Sequence, residues 1–362
     1  MIVDDSHGMI DSDFIGEHQP NLELVCKKWQ QINQTFWHSI LKLKFVLVDP
    51  DEQFYSVPIR SGLEFRSSNF SDFGKILKKL HGNLQKLRIF NDLRYEQEVN
   101  IPSSIFKLII ENENINFLDI DINNKDIYKK CLKFLKTDNL QHLSLSRPFL
   151  NKSSSSILDV IKKLLLNAPK LETLHLSNLE ISLKEISKIT TLKSLYIMKP
   201  GKSPGSCVKN FGFINLESIH LIHGSDVKDN FIKQLVTDCK KLHNVEIYSC
   251  DSITTKGLIP ITTLPELRHF GATHIDEEVF KELSNLESID CSDLTLNSNS
   301  MKASISNFFQ RSPNLKKAHI CLNGDPYLFD EYTRKSRIVL NQDQKFYGFC
   351  ICSINWRKQF DN

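Results

Sequence analysis

Along this chain apolar residues return in one local arrangement, apolar-x-x-apolar-x-apolar, most often with Asn, Lys or Glu just before the first apolar position. Clear copies place Leu84, Leu87 and Ile89 in that order, then Leu140, Leu143 and Leu145, then Leu216, Ile219 and Leu221. Others begin at Ile115, Leu171, Leu192, Leu242, Leu267, Leu286 and Leu315, so successive starts lie 19 to 31 residues apart. The alternation at the end of each copy predicts a short strand that turns its apolar side chains to one face. One strand with one helix cannot cover that face alone, whereas units stacked in parallel seal the apolar ladders into a continuous core. The expected fold class is therefore α/β, a solenoid with a parallel concave sheet and outer helices.

Between the strands the apolar period changes from two to about 3.6. Ile157, Val160, Ile161, Leu164 and Leu165 fall on one helical stripe behind Ser156, which is placed to cap it, and Phe231, Ile232, Leu235, Val236 and Cys239 form another. Ile305, Phe308 and Phe309 begin a third. Pro169, Pro265 and Pro313 each stand two residues before a leading leucine. Proline stops the helix and biases its predecessor toward extended backbone, which aims the chain into the next strand. The units from Leu171 to Leu192 and from Leu267 to Leu286 are short or irregular, so helix content is expected to vary along the stack.

Residues that interleave the apolar ladder point away from the core and form the candidate binding face. Among them His175, Tyr196, His220 and Glu246 hold the same place in four successive units and are expected to line up, with Tyr248 beside the end of the row. His269 and Asp290 continue the same face. Exposed rings can anchor a partner because they bury large area at little entropic cost. Lys86 with Arg88, and Asp119 with Asp121, suggest separate basic and acidic zones.

Composition narrows the functions. With 40% hydrophobic and 25% charged residues the 362-residue chain has material for a large core, and 46 basic against 43 acidic residues give a net charge of +3. That balance favours neither nucleic acid nor a membrane surface as partner. No apolar run reaches the roughly 18 residues of a spanning helix. Met1 to Pro20 is acidic and polar rather than basic and then apolar, so a cytoplasmic or nuclear location is expected. Nine dispersed cysteines do not read as a disulfide framework, and Cys350 with Cys352 lacks the further ligands of a metal site. Gly201-Lys202-Ser203-Pro204-Gly205 matches the letters of a nucleophile elbow, but Pro204 has no N–H for an oxyanion hole. No catalytic residue, metal or cofactor is expected.

The unit from Cys239 and Leu242 through Val245, Ile247, Cys250 and Ile253 to Leu258 resembles the cysteine-containing subclass of leucine-rich repeats, a family whose fold is a horseshoe-shaped solenoid. Nearer the start, Leu22, Leu24, Val25, Cys26, Trp29 and Ile32, followed by Trp37, resemble the second half of an F-box, with Leu22, Val25, Trp29 and Ile32 on one helical face. Residues 1 to 21 lack the Leu-Pro helix of that family's first half. The resemblance implies docking on a Skp-type linker and cullin, with the repeats holding an unknown protein substrate for an SCF-type ubiquitin ligase. The alternative is an interaction scaffold whose N-terminal segment only caps the first repeat. The expected organisation is an N-terminal tail at 1–13, a partial F-box-like helical element at 14–48, leucine-rich repeats at 49–321 and a C-terminal cap at 322–362.

Overall fold

The computed structural model describes residues 36–48, 55–59, 62–80, 82–91, 99–122, 124, 126–146, 155–179, 181–200, 212–294 and 299–322. Leu22 through Ile32, the Gly201 to Gly205 motif, Cys350, Cys352 and the cap beyond residue 322 lie outside them. The chain divides into two compact units, Met1–Glu266 and Leu267–Asn362.

In the first unit ten strands lie side by side in the order β10-β9-β8-β7-β6-β5-β4-β1-β3-β2. They are β1 Lys42–Leu47, β2 Tyr55–Ile59, β3 Gly62–Ser67, β4 Lys86–Asn91, β5 Phe117–Asp121, β6 His142–Ser146, β7 Thr173–Ser177, β8 Ser194–Met198, β9 Ser218–Ile222 and β10 Asn244–Tyr248. Every pairing is parallel except β2 on β3. The antiparallel β2 is the edge strand and carries Pro58, which an interior strand could not accept without losing a ladder bond.

Parallel strands need crossovers, and among the described residues most of them are helical. They comprise α1 Phe70–Lys79, α2 Ser103–Ile110, a π-helical turn at Ile127–Cys131 running into a 3₁₀ turn at Leu132–Phe134, α3 Ser155–Leu166, α4 Leu183–Ile186, α5 Asp229–Asp238, and α6 Thr255–Leu258 extended by a 3₁₀ turn at Ile259–Thr263. The short α4 falls in the brief unit from Leu171 to Leu192, whereas α6 lies in a unit of ordinary length and passes into the 3₁₀ turn that carries Pro260. The second unit repeats the scheme with β11 His269–Ala272, α7 Glu277–Glu282, β12 Ser288–Leu294, α8 Asn299–Arg311 and β13 Lys317–Leu322, its strands parallel in the order β13-β12-β11. The chain is built as a strand-and-helix repeat.

In-register pairing stacks like on like. Leu87, Leu118, Leu143, Leu174, Leu195, Ile219 and Val245 form one ladder, and Ile89, Ile120, Leu145, Leu176, Ile197, Leu221 and Ile247 another, all buried. Fully burying each side chain is worth roughly 1.5–3 kcal/mol, so these ladders dominate the folding energy. Ala272 and Ala318 occupy ladder positions as small buried residues. Cys131, Cys239, Cys250 and Cys291 are buried like small apolar groups.

Two backbone devices recur. At the entrance to a strand one carbonyl accepts two N–H groups from the next unit: Gln141 O takes those of Glu172 and Thr173 at 2.9 and 3.0 Å, Glu172 O those of Lys193 and Ser194, and Lys193 O those of Glu217 and Ser218. At the exit a single left-handed residue, Asn178, Lys199, His223 or Ser249, turns the chain off the sheet with φ between 51° and 56°. The entrance device begins early, because Leu41 O accepts from Gln85 N and Lys86 N at 2.9 and 3.0 Å. Ile40, Leu43 and Phe45 are thus the apolar positions of a first repeat unit inside the segment 14–48, and among its described residues 36–39 form a helical turn. Phe45 packs against Phe65, Phe70 and Phe73 with ring centroids 6.0, 5.3 and 4.3 Å away, and Trp37 is buried with Lys79 Nζ 5.2 Å from its ring.

Candidate functional site

The strand residues that alternate with the buried ladders share the opposite face of the sheet. Parallel register in the first unit arranges them in three rows. The middle row runs Glu64, Lys44, Arg88, Asp119, Ser144, His175, Tyr196, His220, Glu246 across nine strands. Lys42, Lys86, Phe117, His142, Thr173, Ser194, Ser218 and Asn244 form the entry row. Tyr248 ends the exit row beside Ile222 and Met198.

His175, Tyr196, His220 and Glu246 are therefore immediate neighbours in that order. His175 and Tyr196 meet edge to face at 4.0 Å, and Tyr196 and His220 lie 6.0 Å apart. His220 Nδ1 stands 3.0 Å from Glu246 Oε2, while Ser218 Oγ and Asn244 Nδ2 lie 3.0 and 3.3 Å from its Nε2. Ser144 Oγ is 3.3 Å from His175 Nδ1. The rings bury one another: Tyr196 is 8% exposed and His220 6%. This part of the face is a preordered surface rather than a set of free side chains.

The supposed separation of basic and acidic zones does not form. Register sets Arg88 beside Asp119, with Nε 3.9 Å from Oδ2, and Lys44 beside Glu64 at 2.8 Å. Charge is compensated between strands, although within each strand like charges sit two residues apart. Sequence reasoning also missed a stack. Phe117 lies flat on His142 at 3.8 Å and 1°, with the Arg88 guanidinium 5.0 Å and Lys86 Nζ 5.6 Å from the Phe117 ring. The signal was available, since all four hold outward positions in adjacent units.

Burial sets the protonation states. It pushes His142 down to about 3, helped by the positive charges of Arg88, His175 and Lys86. His175 falls to about 4 through burial and then His220, and Tyr196 rises to about 12 through burial and then Glu246. None of these three moves toward neutral pH, the direction that general acid–base chemistry requires. At pH 7 they offer uncharged hydrogen-bonding groups and ring surface. Burial likewise raises the thiols of Cys131 and Cys239 to about 12 and of Cys250 to about 11, which leaves them poor nucleophiles. Among the described residues no three His, Cys, Asp or Glu groups converge as metal ligands, and no helix is long and apolar enough to cross a membrane.

In the second unit His269 pairs in register with Ser288, and Asp290 with Gly271, so these two predicted residues stand in different rows there. Both are half-buried. Trp37 is the one F-box-like residue among those described, and it is 6% exposed.

No protein-family model matches the chain, and no curated protein does. Among solved structures, the chain is similar to a structural-genomics crystal structure of a Bacteroides fragilis protein, at 15% identity, covering 77% of this chain and 74% of that one, with a TM-score of 0.35.

Proposed function

We propose that this chain is a non-catalytic adaptor that holds another polypeptide against the open face of its leucine-rich-repeat sheet, and that its N-terminal segment brings it to the Skp-type linker of an SCF-type cullin ubiquitin ligase. The observation that carries the binding half is the continuous row from Arg88 to Glu246, in which hydroxyl, imidazole, phenol and carboxylate groups are held by their neighbours. Ordering these groups before a partner arrives lowers the entropy lost on association. The ligase half rests on the likeness of Leu22, Leu24, Val25, Cys26, Trp29, Ile32 and Trp37 to the second half of an F-box.

A second reading keeps the binding face and drops the ligase. It is favoured by one observation: Ile40, Leu43 and Phe45 already serve the first repeat, so the segment before them is also explained as the cap that every solenoid end needs. Affinity purification from cells separates the two. The ligase reading expects linker and cullin with the full chain and neither after deletion of residues 14–35, which spares β1. Recovery of the same partners with and without that segment, and no linker in either, leaves the scaffold. Ser194→Arg, which crowds the face without emptying the core, is expected to lose the held polypeptide and keep the linker.

A further inference from the structure

In the entry and middle rows at the β1, β3, β4 and β5 end of the sheet, four outward cations accompany two carboxylates. Lys44 pairs with Glu64 and Arg88 with Asp119, but Lys42 and Lys86 have no carboxylate partner among the described residues. They face each other in register on β1 and β4, neighbouring strands whose spacing is about 4.8 Å. Lys86 is exposed and Lys42 half-buried. The stacked Phe117 and His142 bound this corner on the next strands, and His142, uncharged at pH 7, contributes no third cation.

We infer that the polypeptide held on this face is acidic, and that carboxylates of an Asp- or Glu-rich stretch lodge between the Lys42 and Lys86 ammonium groups beside the Phe117 ring. This deepens the proposed binding function and rests on it. Charge complementarity selects the occupant: two adjacent cations repel each other, and arriving carboxylates relieve the repulsion. The crowding already acts on Lys86, whose ammonium is held below its ordinary range by burial and then by Lys42 and Arg88. Ammonium groups are point charges that take carboxylate or phosphate alike, and a run of carboxylates is the anion that a polypeptide carries without modification. The one planar fork in the corner, the Arg88 guanidinium, is taken up by Asp119 and the Phe117 ring.

The test is fluorescence polarisation of labelled hexaglutamate with the full chain at low ionic strength. Loss of two ammonium–carboxylate contacts in K42Q/K86Q is expected to weaken binding about tenfold. K188Q/K233Q, which removes the same net charge from exposed positions outside the strands, is expected to bind as the unsubstituted chain does. Added salt weakens the wild-type interaction, and unlabelled hexaglutamate displaces the probe better than inorganic phosphate at equal concentration. Equal affinities for the two double variants overturn the inference, as does stronger displacement by phosphate. If Ser194→Arg abolishes polypeptide capture while K42Q/K86Q binds hexaglutamate normally, the open-face function stands and the acidic partner falls.

Discussion

Acid should loosen the first unit well before its carboxylates titrate, because two imidazoles are folded in the uncharged state. The ordinary histidine value of 6.5 applies once the chain unfolds, whereas burial holds His142 at about 3 and His175 at about 4 in the fold. Between 6.5 and those values the unfolded chain binds protons that the folded chain refuses. The stabilisation is thus complete above 6.5 and is lost as pH falls below it. At pH 5 each histidine lies 1.5 pH units below its unfolded value, at about 1.4 kcal/mol per unit, which gives about 2 kcal/mol apiece and about 4 kcal/mol together. That is a large part of a typical domain stability of about 5–15 kcal/mol. Glu113, Glu277 and Glu287, whose carboxyls are held low first by hydrogen bonds from Lys136, Lys281 and Lys316, lose their contribution only as pH drops through their ordinary value of 4.5 and below. Urea titrations followed by circular dichroism at pH 7, 6 and 5 measure the effect. The H142Q/H175Q variant should start less stable at pH 7, having lost the Phe117 stack, yet show almost no decline between pH 7 and 5. A decline equal to the wild type's would refute the assignment.

Three further substitutions probe the repeat itself. Leu174→Ala empties a fully buried ladder position between Leu143 and Leu195 and should cost about 2–5 kcal/mol in the same urea titration. Gly257→Ala places a Cβ 2.3 Å from Asp229 Oδ1, the oxygen that accepts Thr254 N at 2.7 Å and so ties α5 to the next unit. A loss of about 1–3 kcal/mol is expected, and combining it with Asp229→Ala should cost less than the sum of the two, which a double-mutant cycle reads directly. Asn124→Ala removes the buried amide that donates to Val99 O and accepts from Ile127 N at 2.7 Å. About 1–3 kcal/mol should disappear, with faster amide exchange in the π-helical turn 127–131 as the local signature.

Much of the repeat is visible in the chain because burial acts on short, regular spacings. The stripe Phe231, Ile232, Leu235 and Val236 packs as a buried helical face, and Pro169, Pro265 and Pro313 stand in the turns that lead into β7, β11 and β13. What escapes depends on partners distant in sequence. Ile40, Leu43 and Phe45 repeat the ladder spacing, but the F-box-like residues just before them suggest a helix. The β2–β3 hairpin shows only a plain alternation, Tyr55, Val57 and Ile59 and then Leu63 and Phe65, without the spacing of the repeat. The pairing of Arg88 with Asp119 follows only once β4 and β5 are known to be in register, since each strand alone shows charges of one sign. The depth of His142 and His220 escapes for the same reason: neighbouring rows cover them, and no local spacing encodes that. Row membership of His175, Tyr196, His220 and Glu246 could be counted from the repeat spacing. What they bind cannot, because it depends on the shape and charge of another molecule.

Side-by-side parallel register is what turns nine separate strands into a single face, and an engineered metal clip measures it directly. Ser194 and Ser218 are registered neighbours on β8 and β9, whereas Ser194 and Asn244 are two strands apart. Histidines introduced at both serines should share a zinc ion with bonds of about 2.0–2.1 Å. Zinc at a hundred times its dissociation constant should then stabilise that variant by about 2.7 kcal/mol. The S194H/S218H variant is predicted to respond to zinc in the urea titration more than either single variant, and S194H/N244H is predicted to respond no more than N244H alone, whose new ring lies beside His220. A gain over the single variants in S194H/N244H, or none in S194H/S218H, would contradict the register and with it the binding face.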